Sequence, residues 1–288
     1  MRSFLFVPAD SPRKLEKSMT SGADALIIDL EDSVALDRKA EARATALAFL
    51  KEAGAAANRP RLVVRVNALD TDLTDRDLDG IIGGQPDAIL LPKAEGGKSV
   101  IHLDAKLTAR EALHGLDDGT IAILALTTET AAALFHAGTY GGVSARLTGL
   151  TWGAEDLSAA LGAETNRDTE GRFTEPYQFA RTLCLAGAAA AGVQAIDTVY
   201  VDFRNDVGLR QEAEEARRDG FSAKLAVHPG QVPIINEVFT PTPAAIAQAE
   251  AVVAAFSAQP GSGVVAIGGV MYDRPHLARA ERLLKRPR

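Results

Sequence analysis

The chain has 288 residues, of which 47% are hydrophobic and 24% charged, enough apolar material for a large core of the ordinary globular kind. Its formal charge of −7 argues against a nucleic-acid or anionic-membrane partner, so an anionic substrate would need a local arginine, lysine or metal ion. Cys184 is the only cysteine, which excludes a disulfide framework and reads as a small buried hydrophobe in a reducing compartment.

The opening "MRSFLFVPADSP" is apolar for too few residues to be a signal-peptide core. No later segment approaches the about 20 uninterrupted apolar residues of a membrane span, and the expectation is a soluble cytoplasmic protein. Eight short apolar runs follow in chain order: "SFLFVP" (3–8), "ALIIDL" (25–30), "LVVRVN" (62–67), "AILLPK" (88–93), "IAILALT" (121–127), "LTGLTWG" (147–153), "AIDTVYVD" (195–202) and "AKLAVHP" (223–229). Most lack clean polar alternation, as strands covered on both faces do. Helical stretches lie between them. Ser11 before Pro12 reads as an N-cap with proline at the first helical position, closed by Gly22, and "DRKAEARATALAFLKEAG" runs from Asp37 to Gly54 at helical spacing. Strand then helix, eight times, predicts an α/β (β/α)8 TIM barrel over residues 1–240. A doubly wound sheet is the alternative, but the first turn lacks G-x-G-x-x-G. Residues 241–288 read as an extension: a helix entered through prolines, a hairpin turning at Gly268-Gly269, and a last helix near Pro275, together able to form a lid over the mouth of this barrel or a neighbour's.

Active sites of such barrels form where the carboxyl ends of the strands converge. The polar residues there are Asp29, Glu31, Asp32, Arg65, Asn67, Lys93, Glu129, Glu155, Asp156, Asp197, Asp202 and His228. Carboxylates dominate, and with one arginine and one lysine they suit Mg²⁺, which binds one or two protein carboxylates and keeps places for water and substrate. Zinc is disfavoured, because the cysteine is badly placed and the five histidines show no paired spacing. Other readings stand beside these: Glu129 and Asp156 as a salt-bridged pair of loop acids, Arg65 as their partner, Asp29 as an acceptor of backbone hydrogen bonds, Asp273 as the N-cap of the last helix, and Lys93 as a structural lysine.

The words "RSFLFVPADSPRKLEK", "GADALIIDLEDSV", "VVRVN", "LLPKAE", "TTETAAAL", "WGAEDLSAALG", "YVDFRNDVGL", "KLAVHPGQV" and "GGVMYDRPHLARAERLL" together resemble the citrate lyase β-subunit family of the HpcH/HpaI aldolase superfamily, over essentially the whole chain. The resemblance implies a Mg²⁺-dependent carbon-carbon lyase joining or separating a 2-oxo acid and an acyl-CoA, assembled as a homotrimer or dimer of trimers. It assigns Glu129 and Asp156 to the metal, Arg65 and Glu129 to the substrate, and Asp273 to acid-base work on the lid. Glu31 and Asp32 then take the metal's waters, with Lys93 beside them. One departure is Ala131-Ala132-Ala133, where relatives often carry glycine or arginine. The alternatives are an aldolase acting on free 2-oxo acids, a β subunit acting on a carrier-protein thioester, and a non-catalytic barrel scaffold.

Overall fold

A computed structural model describes residues 1–285. Eight parallel strands close in sequence order into a barrel, β1 pairing with β8 through Ser3–Lys224, Phe4–Leu225 and Leu5–Ala226. The units are β1 (Ser3–Pro8) with α1 (Pro12–Ser18), β2 (Ala25–Asp29) with α2 (Lys39–Gly54), β3 (Arg61–Arg65) with α3 (Leu73–Ile81) and β4 (Ala88–Leu91) with α4 (Gly97–Leu113). They continue as β5 (Ala122–Thr127) with α5 (Ala131–Leu134), β6 (Leu147–Trp152) with α6 (Ala154–Leu161) and α7 (Glu175–Ala191), β7 (Gln194–Asp197) with α8 (Asp206–Asp219), and β8 (Ala223–Ala226) with α9 (Val232–Phe239). The (β/α)8 barrel expected from the eight apolar runs is the fold of the protein.

Alternation along each strand sorts the core into two layers. Phe4, Ala25, Ile27, Val63, Leu90, Leu124 and their neighbours fill the barrel's inside. Leu26, Ile28, Leu62, Val64, Ile89 and Leu91 face the helices. The same alternation carries Asp29 and Arg65 onto the inner face at the top of β2 and β3, following Ala25–Ile27 and Val63 by two residues each. Asp29 and Arg65 are also direct partners in the ladder, so their side chains must meet.

Several local expectations change. The run at 195–202 pairs only through Asp197, and the chain then leaves the sheet, with Gln231 donating to the Tyr200 carbonyl at 2.7 Å. Asp197 does not face the mouth: next to inward Ile196, it turns out toward the helices, where it binds Lys224 (2.7 Å), the Trp152 indole (2.9 Å) and Arg181 (3.2 Å). Lys224 also pairs with Glu212 at 2.9 Å, so these charges clamp β7 and β8 to α7 and α8. Ser11 precedes α1 without a side-chain cap bond, and α1 ends at Ser18, before Gly22.

After α9 come α10 (Pro243–Ala258), the antiparallel pair β9 (Val264–Ile267) and β10 (Val270–Asp273), and α11 (Arg274–Leu284). Gly268 and Gly269 both have positive φ, 59° and 83°, as a two-residue type I′ turn demands. This segment has its own small core of Ala249, Val252, Phe256, Val265 and Ala280. Arg282 and Lys285 share a cavity with Arg2, Gln194 and Ser222, so the end of α11 lies under the amino ends of the strands. Among the described residues no helix is long and apolar enough to cross a membrane.

Candidate active site at the carboxyl end of the barrel

A cavity of about 440 Å³ opens at the carboxyl ends of the strands, with Asp29, Arg65, Glu129, Asp156, Phe6 and Leu225 among its walls. Arg65 is fixed from several sides. Its Nε and Nη2 donate to the two oxygens of Asp29, both at 2.7 Å, and its guanidinium stacks over Phe6, 4.8 Å from the ring centre. Nη1 lies 2.9 Å from Glu31 Oε2, an ion pair misaligned as a hydrogen bond, so this buried oxygen has no hydrogen-bond donor among the described residues. Asp29 in turn accepts from the Glu31 and Ser33 amides at 2.9 and 3.2 Å. Burial would raise the Asp29 pKa, but the Arg65 bonds outweigh it and hold the carboxyl below its usual range.

Lys93, after β4, ties together the loops that follow β2, β5 and β6. Its Nζ is 2.6 Å from Glu31, 3.2 Å from Asp156 and 3.8 Å from Asp32, while its backbone N–H donates to Glu129 Oε2 at 2.6 Å. Making both contacts places Lys93 in the left-handed region, with φ of 50°. Thr128, immediately before Glu129, has φ of 55°, a strained conformation for a β-branched residue. Strain of this kind persists where surrounding structure holds a functional group in place. Gly153 leaves room for Glu129: a Cβ there would lie 2.6 Å from Glu129 Oε1.

The acids outrun their cations. Burial raises the pKa of Glu31 despite Arg65 and Lys93. Glu129, 3% exposed, is pushed up to about 8 by burial and then by the Asp156 charge, against the opposing Lys93 amide. A divalent cation between Glu129 and Asp156 would remove that penalty. The Glu31 oxygen lacking a donor would suit a water on such an ion. Among the described residues no three His, Cys, Asp or Glu side chains converge as a ready-made metal cage. Two carboxylates completed by water and substrate are the pattern Mg²⁺ accepts, and the residues present fit it.

Of the residues singled out in the sequence, Glu31, Asp32, Arg65, Lys93, Glu129 and Asp156 come together here. Asp273 does not line the cavity; its carboxylate caps α11 and contacts His276 Nδ1. His228 accepts from the Gly230 amide and stacks on Phe203, while Asp202 accepts from the Arg204 amide at 3.3 Å. None of Ala131, Ala132 and Ala133 lines the cavity; they form α5, capped by Thr130. Asp29 and Gly153 bear more on the site than their sequence context indicated. The signal for Asp29 was its place two residues beyond Ile27 on an inward-facing series.

A strained acid-rich mouth on a (β/α)8 barrel, built around a clamped arginine, is the kind of site that metal-assisted enzymes use. The model of the HpcH/HpaI aldolase/citrate lyase family matches residues 2–229, and the chain belongs to that family and is a lyase. A (3S)-malyl-CoA thioesterase of Cereibacter sphaeroides (strain KD131) is 36% identical over 285 residues, 98% of this chain and 93% of the relative. The protein CitE from Mycobacterium tuberculosis, solved with magnesium, acetoacetate and coenzyme A, superposes with a TM-score of 0.76 at 32% identity, covering 99% of this chain and 97% of that one. A citrate lyase β subunit from M. tuberculosis with oxaloacetate and magnesium gives a TM-score of 0.67 at 32% identity, covering 83% and 96%.

Proposed function

We propose that the protein cleaves, or in reverse forms, a 3-hydroxyacyl-CoA thioester, separating it into a 2-oxo acid and an acyl-CoA by a retro-Claisen reaction with Mg²⁺. The observation that carries this is the Arg65 guanidinium, locked by Asp29 on the wall of the cavity that Glu129 and Asp156 also line. Glu129 and Asp156 would hold the ion, which when bound acts as a Lewis acid on the hydroxyl or keto oxygen of the 2-oxo acid half. The first turn of α6 has no side-chain cap at Gly153 and borders the cavity, so its free N–H groups can receive the substrate carboxylate. Arg65 stays cationic, because pairing with Asp29 and Glu31 outweighs its burial. Three of its five N–H donors face those acids, which leaves two for the developing enolate oxygen. Because the guanidinium is already fixed, it loses little freedom when it binds.

Proton transfer at the enolate carbon needs an acid-base group. We assign it to Asp273 of a neighbouring copy in a homotrimer or dimer of trimers. The hairpin before Asp273 exposes Val264, Val270 and Met271, a surface suited to cover another barrel's mouth, while the end of its own α11 lies at the opposite face. The aldolase, carrier-thioester and scaffold alternatives, and the hydrolysis suggested by the thioesterase relative, are separated by one assay. Malyl-, citramalyl- and citryl-CoA are incubated with Mg²⁺ or EDTA, and thioester loss, 2-oxo acid and free thiol are each followed. The expected result is equal loss of substrate and gain of 2-oxo acid with Mg²⁺, no thiol, and at least a 100-fold fall in Asp273→Ala. Thiol release without 2-oxo acid, or no turnover, rejects the lyase reading.

A further inference from the structure

The lyase reading, on which this step rests, fixes three of the four groups around the reacting keto carbon. Its carboxylate and oxygen go to the metal side, and the bond to the acyl-CoA carbon points out of the mouth, where the bulky CoA must lie. The fourth group therefore meets the remaining wall. That wall is mostly apolar: Leu126, Val199, Leu225 and Val227 line it beside Thr198, Leu126 and Leu225 being the top of the barrel's inner core. Of the charged side chains lining the cavity five are acids, and among the described residues Arg65 is the one cation. Arg65 is drawn to Asp29 and Glu31 and is held on the side of those acids.

We infer that the site is selective for 2-oxo acids with a single carboxylate, whose remaining group is hydrogen or a short alkyl chain, as in glyoxylate and pyruvate. A second carboxylate, as in oxaloacetate, would lose its water against Val199, Leu225 and Val227, with Arg65 committed to Asp29 and Glu31 and Lys93 to Glu31 and Asp156, and would face the surrounding acids. A methyl group at the same place gains apolar contact. Family membership does not decide this, since a relative is solved with oxaloacetate.

The test is calorimetric titration of the full chain, in Mg²⁺ and in EDTA, with glyoxylate, pyruvate, 2-oxobutyrate and freshly prepared oxaloacetate, paired with kcat/KM for the three CoA esters. Pyruvate is expected to bind at least about 30-fold more tightly than oxaloacetate, and citryl-CoA to be cleaved at least about 30-fold less efficiently than citramalyl-CoA. A smaller gap in either measurement overturns the inference and leaves the lyase reading intact. The expected order of binding with no ester cleaved supports the inference about the wall and removes the lyase reading. No Mg²⁺-dependent binding of any 2-oxo acid overturns both.

Discussion

Glu129 is the residue at which the cost of the site is concentrated. Its pKa of about 8 means that in the metal-free protein at pH 7 it mostly holds a proton, which Mg²⁺ must displace. Calorimetry at pH 7 in two buffers of different ionisation enthalpy should reveal close to one proton released per Mg²⁺ bound, falling toward zero at pH 9.5. The folded pKa lies above the unfolded one, so the folded state binds more protons between them, and stability is lost as pH rises through the window from about 4.5 to 8. In EDTA the melting temperature should therefore fall across that window; Mg²⁺ should flatten the fall, and Glu129→Gln should remove the Glu129 share of it, leaving that of Glu31, whose pKa burial also raises. Asp29 matters in the opposite sense, as the partner that keeps Arg65 still. Replacing it with Asn leaves a buried guanidinium short of charge, with an expected loss of about 3 kcal/mol in denaturant unfolding and a larger proportional loss in turnover. Neither consequence can be read from "DLED" alone, because Asp29 meets Arg65 through a ladder between β2 and β3.

At the scale of elements, the start of α6 shapes the proposed metal site through what it omits. Gly153 has no Cβ where one would press on Glu129 at 2.6 Å. Gly153→Ala should therefore weaken Mg²⁺ binding at least tenfold while leaving the melting temperature in EDTA within a few degrees, since φ of −126° at this position suits alanine. An unchanged Mg²⁺ affinity would show that Glu129 has another place to go. The strands themselves were legible, because runs buried on both faces are continuously apolar. β7 was overread for a physical reason: β-branched and aromatic residues favour any half-buried pleated surface, and Thr198 and Val199 spend that character on the cavity wall rather than on pairing. The left-handed backbone at Lys93 and Thr128 had no sequence signal, since neither residue type prefers that conformation.

Across the whole molecule, Asp273 lies away from the site it is proposed to serve. If it acts on a neighbour, Arg65→Ala and Asp273→Ala chains, each inactive alone, should form mixed oligomers on co-expression that regain on the order of a tenth or more of wild-type activity, because some mouths receive both intact groups. Mixed oligomers as inactive as their parents would place the proton transfer elsewhere. The same experiment reads out assembly, since a monomeric protein has no route to complementation.

The sequence by itself determined the barrel, the loops from which the candidate site residues project, and the family. These follow from periodicity, punctuation and ordered motifs, which are properties of neighbours along the chain. Only the tertiary structure decided which acids meet which cations, that Asp197 serves the outer wall, that Glu129 is buried enough to hold a proton near neutrality, and that Val199, Leu225 and Val227 line the same cavity as Glu129 and Asp156. Electrostatic energies and cavity walls depend on distances between residues tens of positions apart, and those distances exist only once the eight strands have closed.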